Sequence, residues 1–268
     1  MTNRLFILAE GDSWFAYPPK WLIFTYGVSN VLAHLRKITR NKTIIASLAS
    51  NGDTAVNMFS KRNVDDIRAL LTKCQYDFLL LSAGGNDIVG EEDIMPVLYN
   101  RTDERTGVDC LNQDAFSDKI ADIRKGYVTI LDMVGEFPET TRPIVVGHKY
   151  DFVFPDPQGA VFLSGLYKND GGKSWIYPGM RRRGITDKEE MRAITTEMLR
   201  QFGDMLDDLA ESYDYFHVAQ TQGLLNDPRR YYRNEIHPNG AGTEIIAQKL
   251  WETMKAALKS KRRAGTGA

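Results

Sequence analysis

Cysteine is scarce in this 268-residue chain. The two present, Cys74 and Cys110, lie far apart and lack metal-ligand spacing. No disulfide framework can organise such a fold, and a reducing, cytoplasmic setting is the expectation. Net charge is nearly absent as well: 34 Lys and Arg stand against 35 Asp and Glu, leaving −1. No basic surplus points to nucleic acid as a partner. Long apolar runs are missing too. None approaches the roughly 20 residues of a membrane span. The N-terminal run stops at Glu10, too short for a signal-peptide core, and no small-residue cleavage pattern follows. Internal repeats and clean linkers are also missing, so a single domain over residues 1–258 is the economical reading. An apolar content of 43% is ordinary for a soluble chain and ample for one large core.

What is present alternates. Leu5-Phe6-Ile7-Leu8-Ala9 reads as a short buried strand, and Thr43 to Leu48 as a second. Asp77 to Ala83 is apolar enough for a central strand covered on both faces. Pro143 to His148 and Tyr215 to Val218 complete a set of five. Between them run helical patterns: Asn30 to Ile38 with Asn30 as cap, Val64 to Lys73, Ala115 to Val134, Asp187 to Tyr213 and Gly240 to Leu258. Strand and helix in alternation imply right-handed crossovers, hence a five-stranded parallel sheet inside a three-layer α/β/α sandwich. Two stretches break the rhythm and read as insertions near the active rim, about 88–112 and 152–186. The basic end, 259–268, reads as a disordered tail.

The strand ends carry the chemistry. In an open parallel sheet, ligands bind beyond the carboxyl ends of the strands. Four polar turns fall there: Gly11-Asp12-Ser13, Asn51-Gly52-Asp53, Gly84-Gly85-Asn86-Asp87 and Gly147-His148. A fifth loop, Asn234-Glu235-Ile236-His237-Pro238, precedes the last helix. Together they offer a hydroxyl nucleophile, an imidazole to take its proton and donors for a developing oxyanion, which are the parts of acyl transfer.

These blocks, in this order, resemble the SGNH (GDSL-type) hydrolases. The matching residues are Gly11-Asp12-Ser13, Gly52, Gly84-Gly85-Asn86-Asp87 and His237-Pro238. The resemblance spans residues 11 to 238. It implies a flavodoxin-like fold and an esterase or lipase-like acyl hydrolase without metal or cofactor. By the same resemblance Ser13 is the nucleophile, His237 the general base, and the Ser13 N–H, the Gly52 N–H and the Asn86 amide line the oxyanion hole. The substrate expected is a small-molecule, carbohydrate or lipid ester.

One position departs from the pattern. The family usually carries Asp three residues before the His, and here Asn234 stands there. If the loop is turned, Asn234 reaches the ring through its carbonyl oxygen. If it is extended, Glu235 shares a side with His237 and could orient it. A backbone carbonyl is a third option. Trp14, His148 and Tyr150 are candidates for substrate contact. Trp14, Phe15, Tyr17, Trp21, Phe24 and Tyr26, with Phe152, Phe154, Trp175 and Tyr177, supply an aromatic surplus for the mouth or the core. Asp12 and Asp87 read as turn residues, His34 and His217 as packing, and Arg181-Arg182-Arg183 as a solvated face. Two alternatives stay open. One is a metal-dependent phosphoesterase built on Asp12, Asp53, Asn86, Asp87, His148 and His237. The other is a catalytically impaired binding module of the same fold.

Overall fold

The computed structural model describes residues 4–16, 30–40, 42–157 and 174–265. Five strands form one sheet: β1 (Leu5–Gly11), β2 (Thr43–Ser47), β3 (Phe78–Ser82), β4 (Ile144–His148) and β5 (Phe216–Ala219). Their order is β2-β1-β3-β4-β5, and every pair is parallel. All five apolar runs are accounted for. Central β3 and β4 are buried at every position, as strands covered on both faces must be.

The principal helices are α1 (Ser13–Ala16), α2 (Val31–Ile38), α3 (Lys61–Lys73), α4 (Gln113–Gly135), α5 (Lys188–Ser212) and α6 (Gly240–Gly265). The chain reverses its direction across the sheet at β1. Right-handed crossovers then send α2 to one face, where it packs on α6, and place α3, α4 and α5 on the other. The result is the three-layer α/β/α sandwich expected. Asn30 caps α2 by accepting the Ala33 N–H at 2.9 Å, and Asp187 caps α5 by accepting those of Glu189 and Glu190. Met191, Met198 and Met205 of α5 are buried core residues. No helix among the described residues is long and apolar enough to cross a membrane.

Two expectations are corrected. The helix α6 continues to Gly265, so residues 259–265 are helical rather than a disordered tail; the α-helical ladder simply runs on through Lys259 to Arg263. Within 152–186, residues 177–182 form a helical turn, and Arg183 binds the Met95 carbonyl and the Asn100 side chain instead of facing only solvent. Residues 158–173, and Tyr17, Trp21, Phe24 and Tyr26 of the aromatic run, lie outside the described residues.

The reversal of strand order falls between β1 and β3, and a crevice opens there by geometry. Gly11 is needed at that point. A Cβ on it would lie 2.8 Å from the Ser82 Cβ, closer than real side chains approach.

Candidate active site

The nucleophile turn is built from the end of β1. Asp12 N–H donates to the Ser82 carbonyl at 2.9 Å, holding the strand ends together. The Asp12 carbonyl then accepts the Phe15 and Ala16 N–H groups at 3.1 and 3.0 Å, and its carboxylate oxygen Oδ1 accepts that of Trp14 at 3.0 Å. Asp12 therefore caps the one-turn helix α1, and Ser13 is its first residue. Asp12, Ser13, Trp14, Gly85, Asn86, Val89, Tyr150, Val153, Leu199 and Ile236 line the crevice.

Ser13 Oγ lies 2.9 Å from His237 Nε2. This pair joins residues 224 positions apart. Behind it, His237 Nδ1 lies 3.1 Å from Asn234 Oδ1. The same Oδ1 accepts the Ile236 N–H at 3.1 Å and the His237 N–H at 2.8 Å. Those two backbone donors fix which end of the amide faces the ring, because the flipped amide would set NH2 against both. Oδ1 accepts, so Nδ1 carries the ring hydrogen and Nε2 presents its lone pair to Ser13. The turned form of the loop is the one found. Burial, with Arg233 adding to it, lowers the His237 pKa to about 3, so the ring is a neutral base across the usual range.

Glu235 does something else, and the alternative that it orients His237 is corrected. Its carboxylate accepts the N–H groups of Asp156 at 3.2 Å, Ile176 at 2.7 Å, Tyr177 at 3.2 Å and also Trp175. All four donors come from the 152–186 region. Glu235 ties two parts of that region together and seats Trp175, whose ring meets the His237 ring edge-on at 5.3 Å. Burial raises the Glu235 pKa to about 7 against the pull of those backbone donors.

The other two residues expected in an oxyanion hole lie on neighbouring turns, and of them Asn86 lines the crevice. Ser50 N–H donates to the Gly11 carbonyl at 2.9 Å, laying the β2 loop beside β1. Gly52 there has φ +79°, a left-handed backbone that glycine adopts without strain, and open space around its α-carbon. Gly84, at φ +104°, turns β3 into the short helix Gly85–Val89, which carries Asn86. One Asn86 Nδ2 hydrogen is held by the Asp53 carbonyl at 2.8 Å. That bond fixes the amide and leaves its second hydrogen for the crevice. Asp87 accepts the Ala55 N–H at 2.7 Å and so braces the same loop, the scaffold role expected of it.

Of the substrate-contact candidates, Trp14 and Tyr150 line the crevice, while His148 does not reach it. His148 is fully buried and stacks under Trp14 at 5.3 Å, its nitrogens turned to Ser82 and the Lys149 carbonyl. No three His, Cys, Asp or Glu side chains among the described residues could hold an ion together.

No protein-family model and no curated protein matches the chain. Solved structures do. A lipase from a goat rumen metagenome superposes with a TM-score of 0.61 at 16% identity, over 94% of this chain and 97% of that one. Axe2, an acetylxylan esterase from Geobacillus stearothermophilus, gives 0.52 at 14%, over 95% and 96%. LAE5, an alpha/beta hydrolase enzyme from the metagenome of Lake Arreo, gives 0.51 at 15%, over 96% and 99%. The likeness is one of fold: the chain shares its overall architecture with these three structures. In this fold Asp12 and Tyr150 stand next to the nucleophile together with Ser82, which had no part in the sequence argument. Only their arrival at the strand ends in register brings them together.

Proposed function

We propose that the protein is a serine hydrolase that cleaves an ester of a small molecule, carbohydrate or lipid. The observation that carries the reading is the Ser13–His237 contact of 2.9 Å, with Asn234 Oδ1 behind the ring. Ser13 Oγ attacks the ester carbonyl as His237 Nε2 takes its proton. Negative charge then develops on the carbonyl oxygen, and the N–H groups of Ser13 and Gly52 and the Asn86 amide donate hydrogen bonds to it. The imidazolium returns its proton to the departing alcohol. A water, deprotonated by the same nitrogen, releases the acyl group from Ser13. Side chains, backbone and water suffice for every step.

Asn234 serves this cycle through its dipole. It holds the tautomer that leaves Nε2 free, which is the property lost when a triad Asp is exchanged for a wrongly oriented Asn at a cost of about 10⁴ in serine proteases. The solved structures that share the fold include enzymes named as a lipase and an acetylxylan esterase, which supports ester chemistry. The test is hydrolysis of a panel of p-nitrophenyl esters and acetylated sugars. Ser13→Ala and His237→Ala are expected to lose at least about 10³-fold in kcat, and a chelator to change nothing. Wild-type turnover in Ser13→Ala would overturn the reading.

A further inference from the structure

Behind Ser13 lies a cluster of four buried polar side chains that the reaction above does not use: Asp12, Ser82, His148 and Tyr150. They come from the ends of three adjacent strands. The Tyr150 hydroxyl donates to Asp12 Oδ2 at 2.5 Å. Asp12 Oδ1 lies 3.0 Å from Ser82 Oγ, and Ser82 Oγ lies 2.8 Å from His148 Nε2. His148 Nδ1 lies 3.1 Å from the Lys149 carbonyl. Gly85 seals the cluster: a Cβ there would sit 2.9 Å from the Tyr150 ring and 3.2 Å from Asp12 Oδ2.

The protons can be counted. A carbonyl oxygen only accepts, so His148 Nδ1 must carry a hydrogen toward Lys149. In a neutral ring Nε2 is then a lone pair. The Tyr150 hydroxyl also lies 3.3 Å from Ser82 Oγ, but its one hydrogen goes to the nearer Asp12. The other four contacts each need one proton: Nδ1 to the Lys149 carbonyl, Nε2 to Ser82, Ser82 to Asp12 and Tyr150 to Asp12. A neutral imidazole, two hydroxyls and a carboxylate supply three. We propose that this cluster traps a fourth proton on the line from Asp12 through Ser82 to His148, and that the protonated cluster makes Asp12 a positioning residue for Ser13.

Two placements satisfy the count. Either Asp12 is a carboxylic acid donating to Ser82, which donates to His148, or His148 is an imidazolium and both bonds reverse. Burial decides between them. It raises the Asp12 pKa to about 6, outweighing its bonds to Tyr150, Trp14 and Ser82, and it lowers that of His148 to about 4. The proton therefore sits on Asp12. Asp87 faces the same carboxyl and its charge favours the neutral acid. Tyr127 faces it from α4, its hydroxyl donating to the Ala83 carbonyl at 3.0 Å, and burial keeps that phenol neutral.

The consequence bears on the nucleophile. Asp12 holds the turn that presents Ser13, and the Ser13 N–H is one donor for the oxyanion of the reading above, on which this part rests. A neutral Asp12 puts no negative charge beside the oxyanion. When the fourth proton leaves, a carboxylate stands one residue away and one contact of the line becomes lone pair against lone pair. Turnover should then fall as pH rises through that loss.

Infrared difference spectroscopy with 13C-labelled aspartate tests the proton directly, without any substrate. His148→Phe keeps a ring under Trp14 but removes both ring contacts, so two protons are needed and the two hydroxyls supply them. Ser82→Ala cuts the line. Tyr150→Phe leaves the line intact. At pH 5, below the Asp12 pKa of about 6, a carboxylic acid C=O band from aspartate is expected in the wild type and in Tyr150→Phe, and is expected to vanish in His148→Phe and Ser82→Ala. Glu10 and Glu235, whose pKa values burial also raises, carry no label and drop out, and Asp12→Asn separates the Asp12 band from any of Asp87 and Asp151, whose carboxyls burial also pushes up. Near-ultraviolet circular dichroism identifies any variant that has not folded, and the other then decides. In the kinetic arm, His148→Phe lowers kcat about 10- to 100-fold with KM little changed, and loses the alkaline fall seen in the wild type. No aspartic acid band in the wild type, or the same band in the folded His148→Phe and Ser82→Ala variants, overturns the trapped proton. A band that behaves as expected in a protein without esterase turnover would instead count against the function proposed above.

Discussion

Asn234→Asp exposes how His237 is tuned. In the native site Nδ1 meets a neutral carbonyl oxygen at 3.1 Å, and the His237 pKa is pushed down to about 3. A carboxylate there adds a charge opposite the imidazolium. At a separation of about 4 Å and an effective dielectric of about 20, their attraction is about 4 kcal/mol. The new oxygen takes the place of Asn234 Nδ2, which is buried and has no hydrogen-bond partner among the described residues. An acceptor stranded there costs about 1–3 kcal/mol whether the ring is neutral or charged, so it lowers the variant's stability and leaves the His237 pKa alone. The attraction of about 4 kcal/mol is a rise of ~3 units in that pKa at 1.36 kcal/mol per unit. The sign follows directly. A base with a lowered pKa stays neutral in acid, so wild-type kcat/KM should be fully retained at pH 5, below the ordinary range of an imidazole. The acid limb, which reports the free enzyme's base, should move upward in Asn234→Asp. The assay is kcat/KM for a short-chain ester from pH 4 to 8, with a folding control at each pH. An acid limb near 6.5 in the wild type, or one that does not move in the variant, refutes the reasoning.

Further predictions concern the donors and the scaffold. Asn86→Ala removes a side-chain oxyanion donor and should lower kcat about 10²- to 10³-fold with little change in KM; steady-state kinetics that show the reverse split would remove Asn86 from the hole. Glu235→Gln replaces one acceptor oxygen by an NH2 aimed at backbone N–H groups. It should destabilise the protein by about 2 kcal/mol in a urea titration and raise KM as Trp175 shifts, and an unchanged midpoint would contradict the tether. Gly84→Ala forces a side chain onto φ +104° and sets its Cβ 2.7 Å from the Phe202 ring. A loss of at least about 1–3 kcal/mol is expected by the same titration, and a neutral result would mean that α5 packs differently.

The frame was readable because two periods dominate it. Apolar runs at Leu5 to Ala9 and at Phe78 to Leu81 have only one use in a chain that alternates with amphipathic helices. The meeting of Ser13 with His237 was readable because polar turns at parallel strand ends share a rim. Asn234 against Glu235 was undecidable at that level, since the answer depends on whether one loop is turned or extended. Asn234 itself turns it, by accepting the N–H groups two and three residues on. Glu235 then points the opposite way, to donors about 60 to 80 positions earlier in the chain. His148 looked like a rim residue because it ends β4. The bulk of Trp14 covers it, which no local pattern records. The cluster around Asp12 lay out of reach for the same reason: it exists only because Gly11 pairs with Ser82 in the sheet and lets two strand ends meet.

The central claim is that His237 makes Ser13 nucleophilic. A fluorophosphonate probe and intact-mass analysis test it without knowledge of the substrate. The account predicts one adduct on the wild-type protein, mapped to Ser13, none on Ser13→Ala and labelling at least about 10²-fold slower on His237→Ala. A wild-type protein that stays unlabelled while a serine esterase reacts beside it, or an adduct that maps to any other residue, would contradict the claim.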